Sequence, residues 1–176
     1  MSKLVSFSKG SFAIVVLSIL SPLVMAPLVG AADNDSVTAT VTVTNISISV
    51  SSGSIAYGAL STSSTLDTTA GVGQLDNSQV LTNSSNVAID VKVHGVTTDW
   101  TLGASAGNET YTHKTCVTDC DGTPTWVAMT TSYGDPILTG VAIDATPAID
   151  FQIGTPTVTA ITAEQNVNVT IMGVQN

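Results

Sequence analysis

An all-β chain, an antiparallel β-sandwich of the immunoglobulin-like or jelly-roll-like kind behind an N-terminal signal peptide, is the fold this sequence predicts. Three observations carry the prediction. Apolar and polar residues alternate with period 2 along much of the chain, between Gly, Pro, Asn and Asp punctuation. Beyond Asp33 no 3.6-residue periodicity competes with that pattern. The chain opens on a basic start, a short apolar run and a cluster of small residues. Many short strands without helices pack as two facing sheets.

Residues 1–32 are expected to be the signal peptide and residues 33–176 a single β-sandwich domain. Lys3 and Lys9 precede the apolar run FAIVVLSIL (12–20), and Pro22 and Pro27 break any helix before Gly30, Ala31 and Ala32. Cleavage after Ala32 leaves Lys92 and Lys114 against all 13 acids, a formal charge of −11. Two other readings of this stretch stay open. It can remain uncleaved as an anchor, the one way the chain would meet a membrane, although its prolines disfavour a straight span. Lys9-Gly10-Ser11 before an apolar run also resembles a prepilin cleavage site, but Val15 stands where bacterial pilins carry an acid.

The strands follow in order. In VTATVTVT (37–44), Val37, Ala39, Val41 and Val43 alternate with threonines, and almost every residue is β-branched. At Asn45 the phase slips by one and Ile46, Ile48 and Val50 take the apolar role, which marks a bulge or a junction of two strands. Further strands are expected at 55–60, 79–82, 87–96, 100–102, 111–116, 126–129, 149–153 and 166–174. In 87–96, Val87, Ile89, Val91 and Val93 face one way and Asp90, Lys92 and His94 the other. In 166–174, Val167, Val169 and Ile171 face inward. Residues 61–73 and 144–147 read as loops. Tyr57, Trp100, Trp126, Phe151 and the strand valines are the expected core.

Charge excludes one class of partner. With no Arg and a net charge of −9, the chain has no basic patch to neutralise phosphates, so nucleic acid is not a partner. At 43% hydrophobic and 10% charged it is also no acidic disordered tail.

No residue pattern specifies catalysis. Gly103-Ala104-Ser105-Ala106-Gly107 matches G-x-S-x-G, but no helix follows Ser105 and the only later His is His113. Asp119, Asp121 and Gly122 resemble the start of a Ca²⁺ loop without its remaining ligands. The chain is therefore not read as an enzyme, and no cofactor or metal site is expected. Cys116 and Cys120, an even pair in a chain read as exported, are expected to form one disulfide clipping a short loop. His94 and His113 are expected to face solvent. Trp100 and Trp126 are read as core anchors, with a sugar-stacking platform as the competing reading. N-x-S/T triplets stand at Asn34, Asn45, Asn83, Asn108 and Asn168.

The segment order NISISVSSGSIAYGAL, SQVLTNSSNVAIDVKVHG, TDWTLGASAGNETYTHKT, TWVAMTTSYG and NVNVTIMGV resembles small exported β-sandwich proteins of prokaryotic surfaces: the TasA/camelysin-like, WxL-like and donor-strand pilin-like groups. Trp100-Thr101-Leu102 matches W-x-L, but VTIMG stands where a second W-x-L is expected. The resemblance implies a secreted or cell-surface structural protein, a filament or matrix subunit in some relatives. Its partners would be further copies of itself or other surface proteins. An uncharged β-branched strand at 37–44, directly after the cleavage site, adds an expectation of its own: assembly through Val37, Ala39, Val41 and Val43. The alternative is an adhesin or carbohydrate-binding module, with glycans as partners.

Overall fold

The structure, a computed structural model, describes residues 38–176. The proposed signal peptide, Asn34 and Val37 lie outside the described residues. Val41–Asn176 group into one unit. Ten strands build it: β1 (Ile48–Val50), β2 (Thr65–Asp67), β3 (Gln79–Asn83), β4 (Ile89–Gly95), β5 (Thr101–Leu102), β6 (Thr110–Cys116), β7 (Val127–Ala128), β8 (Leu138–Val141), β9 (Ala148–Gly154) and β10 (Val169–Gln175). No described residue is helical. The fold is an all-β sandwich, as the alternation predicts.

The larger sheet runs β1-β3-β9-β6-β5, with β2 also beside β9 and β7 also beside β6; the smaller runs β10-β4-β8. Pairing is antiparallel except between β5 and β6, which run parallel. β9 organises the larger sheet. One edge pairs with β6, from Thr112↔Gly154 to Cys116↔Asp150, and the other with β3 at Gln79↔Ile149 and with β2 at Leu66↔Ile153.

The core lies between the sheets. Leu81, Tyr111, Ile149, Phe151 and Ile153 from the larger sheet meet Ile89, Val91 and Val93 from β4. The alternation at 87–96 is borne out: Ile89, Val91 and Val93 are buried while Asp90, Lys92 and His94 are half-buried on the other face. β10 packs where its backbone can come close, since a Cβ on Gly173 would meet Ile48 and Ile89 at 3.1 Å.

Several expectations differ from the structure. Residues 61–73 contain β2, and β8 lies outside the expected strands. Both strands are short and lack alternation long enough to register. His113 is buried, 2% exposed, not solvent-facing. β6 and β9 are covered on both faces, so polarity in TYTHKTC no longer reports direction. His94 is half-buried, its Nδ1 2.9 Å from the Gly95 carbonyl and its ring edge-on to Tyr133. Phe151 is buried in the core, and Tyr57 and Trp100 pack half-buried against it; Trp126 is half-buried and outside the core cluster.

Candidate functional site

Residues 38–47 form no strand within the described residues, although 37–44 alternates as a strand should. A strand needs a partner, and residues 38–42 find none among them. Ala39 is exposed, and Val41 and Val43 are 90% and 74% exposed. From Val43 onward the chain is held by residues 84–86. Asn86 Nδ2 donates to the Val43 carbonyl at 2.7 Å, and Asn86 Oδ1 accepts from the Asn45 amide at 2.8 Å. The Asn86 amide donates to the Asn45 carbonyl at 3.2 Å, and the Ser84 amide donates to Ser47 at 2.9 Å. The phase slip at Asn45 is this clamp, the point where an exposed arm becomes the edge of the larger sheet through β1 and β3.

Past β1 a second segment lacks a backbone partner. Residues 55–60 do not keep period 2: Ile55, Tyr57 and Leu60 are half-buried against the core, Ala56, Gly58 and Ala59 are exposed, and Gly58 has a φ of 70°. Among the described residues no backbone group of 55–60 is hydrogen-bonded. The strand expected there does not form, because the left-handed backbone at Gly58 breaks the extended run. We refer to it as the strap.

The strap's polar link to the body is Tyr57, whose hydroxyl lies 3.1 Å from His113 Nε2. Burial lowers the His113 pKa from 6.5 to about 4, so the ring is neutral at neutral pH. Its Nδ1 is buried without a hydrogen-bond partner among the described residues. Burial, and then the charge of Asp67, raise the Tyr57 pKa. The phenol therefore stays protonated and can donate to the imidazole.

Cys116 and Cys120 form the expected disulfide. Its loop docks on the excursion between β2 and β3, where Asp121 Oδ1 accepts from the Ala70 amide at 2.8 Å. Asp119 Oδ2 accepts from Thr123 Oγ1 at 2.9 Å, so both loop carboxylates serve the turn and its docking. Asp150, buried below, accepts from Thr68 Oγ1 at 2.7 Å and Ser78 Oγ at 2.6 Å. Among the described residues no group of three His, Cys, Asp or Glu is arranged to hold a metal ion.

The two tryptophans stand apart. Trp100 precedes β5 and Trp126 precedes β7, and these strands pair with opposite ends of β6. At about 3.3 Å per residue the two positions are separated by roughly 20 Å along β6, too far for one sugar-stacking platform. Trp100 Nε1 donates to Thr159 Oγ1 at 3.0 Å, which fixes the ring against the core. Of the N-x-S/T triplets, Asn45, Asn108 and Asn168 are exposed, whereas the Asn83 side chain is buried.

Sequence reasoning took 55–60 for a strand, and Gly58, the residue that takes a positive φ there, was the signal against it. It also missed Asn86, since one Asn in a chain rich in Asn and Ser carries no distinguishing mark. The chain matches no protein-family model, no curated protein and no solved structure.

Proposed function

We propose that this is an exported structural protein of the cell surface or extracellular matrix, a subunit that polymerises by donating residues 37–44 to a neighbouring copy. One observation carries the reading. Val41 is 90% and Val43 74% exposed, in an uncharged, β-branched segment that forms no strand among the described residues. Such a segment is a template for pairing with another chain. Covering each valine would gain on the order of 1.5–3 kcal/mol. The Cys116–Cys120 disulfide fits a protein that works outside the reducing cytosol. The separation of Trp100 from Trp126 weighs against the carbohydrate-binding alternative.

Val41→Lys tests the reading. At a 90% exposed position the substitution leaves the melting temperature of the domain unchanged, while an ammonium placed in a neighbour's apolar seat stops assembly. Size-exclusion chromatography and electron microscopy should find ordered polymers of the wild-type protein and monomers of the variant. Wild-type protein that stays monomeric at every concentration would overturn the proposal.

A further inference from the structure

We infer that β10 is a contact surface for a second copy of this chain. The open edges of two β10 strands pair antiparallel about a two-fold axis at Met172, joining the smaller sheets of two copies into one. The inference goes beyond strand donation and uses none of residues 37–44.

The hydrogen-bond phase of the smaller sheet fixes which groups face outward. The Asn176 amide donates to the Ala88 carbonyl at 3.4 Å, in line with the β10–β4 register. Bonded and non-bonded pairs alternate along an antiparallel ladder. Thr170, Met172 and Val174 therefore direct their backbone groups to β4, and Val169, Ile171, Gly173 and Gln175 turn theirs to the open side. The other edge of β4 agrees. Gly95, opposite Val169, donates its amide to Thr130 at 3.0 Å, and Val91, opposite Gly173, accepts from the Ile137 amide at 2.8 Å. Among the described residues, the outward groups of these four β10 residues have no partner.

Sheets protect their edges by shortness, bulges, proline or charge. β1 and β2 have three residues each, and β5 and β7 two. β8, the other edge of the same sheet, has four, with a register shift against β4 and Gly140 at a φ of 61°. β10 has seven residues, pairs with β4 without a shift and carries neither proline nor charge. No charged side chain follows Glu164, so in a chain of net charge −9 two copies can meet here without acids facing each other.

Symmetry selects the occupant. The four outward residues lie evenly about Met172, so an antiparallel copy pairs Val169 with Gln175 and Ile171 with Gly173 from both sides and leaves none over. Thr170 then meets Val174 on the outer face, a β-branched cross-strand pair. Seven residues a side fall short of the roughly 20–30 of a stable interface. Dilute chains therefore stay monomeric, and the contact forms where copies are concentrated or arrayed in a polymer.

The test uses protein expressed from the full-length chain, concentrated under mild oxidation. The native cysteines are joined to each other, so one added thiol reports the contact. Met172→Cys should give an inter-chain 172–172 disulfide, because residues opposed at a non-bonded position stand about 4.5 Å apart at Cα, within disulfide reach. Thr170→Cys is more exposed but lies roughly 13 Å out of step with its own copy, and should cross-link at least tenfold less. Mixed with Val174→Cys, it should give a 170–174 disulfide. The same ratios should hold with Val41→Lys added, which blocks strand donation. As an independent arm, Met172→Lys sets two ammonium groups opposite each other, each beside its own Lys92. Added to the 170 and 174 variants, it should cut their cross-link at least tenfold with the melting temperature unchanged. Equal yields at 170 and 172, a 170–174 yield that survives Met172→Lys, or no 172–172 disulfide, as when the N-terminal segment of either copy covers this edge, overturn the pairing and leave strand donation standing. A 172–172 excess in wild-type-like protein that never polymerises upholds the pairing and overturns donation. If Met172→Lys fails to fold, the cysteine ratios decide alone.

Discussion

His113 and Asn83 show how single buried polar residues set the conditions under which this fold holds. An unfolded imidazole takes up a proton near pH 6.5, whereas His113 in the fold does so only near 4. Between those values the unfolded chain binds more protons, so stability falls as pH drops. The contribution is fully present above about pH 6.5, and about 2 kcal/mol of it is gone by pH 5. Urea midpoints at pH 7 and pH 5 should show this loss in the wild-type protein and lack it in His113→Gln. Asn83 is fully buried and donates from Nδ2 to the carbonyls of Val87, Val141 and Ala142 at 3.2, 2.9 and 3.0 Å, while its Oδ1 accepts from the Ser85 amide. Asn83→Ala should cost about 2–4 kcal/mol by chemical denaturation, because it orphans buried carbonyls. Asn83→Asp should cost more, since a carboxylate would face three carbonyl oxygens. The same burial means that a glycan at Asn83 is incompatible with the folded domain.

At the scale of elements, the disulfide loop joins β6 to the excursion between β2 and β3 through Asp121 and Ala70. Closing so short a loop constrains the unfolded chain little, so replacing both cysteines with Ser should lower stability by only about 1–2 kcal/mol and keep the fold. Intact-mass measurement of native, unreduced protein should find no alkylatable thiol. How much of each element can be read from its residues depends on its surroundings. VAIDVKVHGV has one apolar and one polar face, and its burial follows the alternation residue by residue. TYTHKTC is covered on both faces, so Thr112 and His113 point in opposite directions and are both buried. TLD in β2 is too short for a period, and its place is set by Ile153 and Gln152 across the ladder, 85 residues away at Asp67. The Cys pair was visible in KTCVTDC. The Asn86 clamp was not, because it depends on where a turn brings one amide.

Over the whole molecule, the all-β class followed from the alternation and the absence of helical periodicity, while the sheet order did not. Which strands share an edge depends on partners chosen across most of the chain, and no local pattern records them. β9 makes this plain, because the larger sheet is built around a strand that is next to last in sequence. A C-terminal truncation ahead of Ala148 should therefore leave a chain without cooperative unfolding by circular dichroism, whereas loss of the residues before Val43 should leave cooperativity intact. The same placement acts on time as well as on stability. Until residues 148–154 have been made, β2, β3 and β6 have no common neighbour, and pairings of such separation form slowly. Under the export proposed above, this strand order would work as a built-in delay: the chain would stay extended enough to pass a membrane channel, and the sandwich would close only once nearly all of it had arrived.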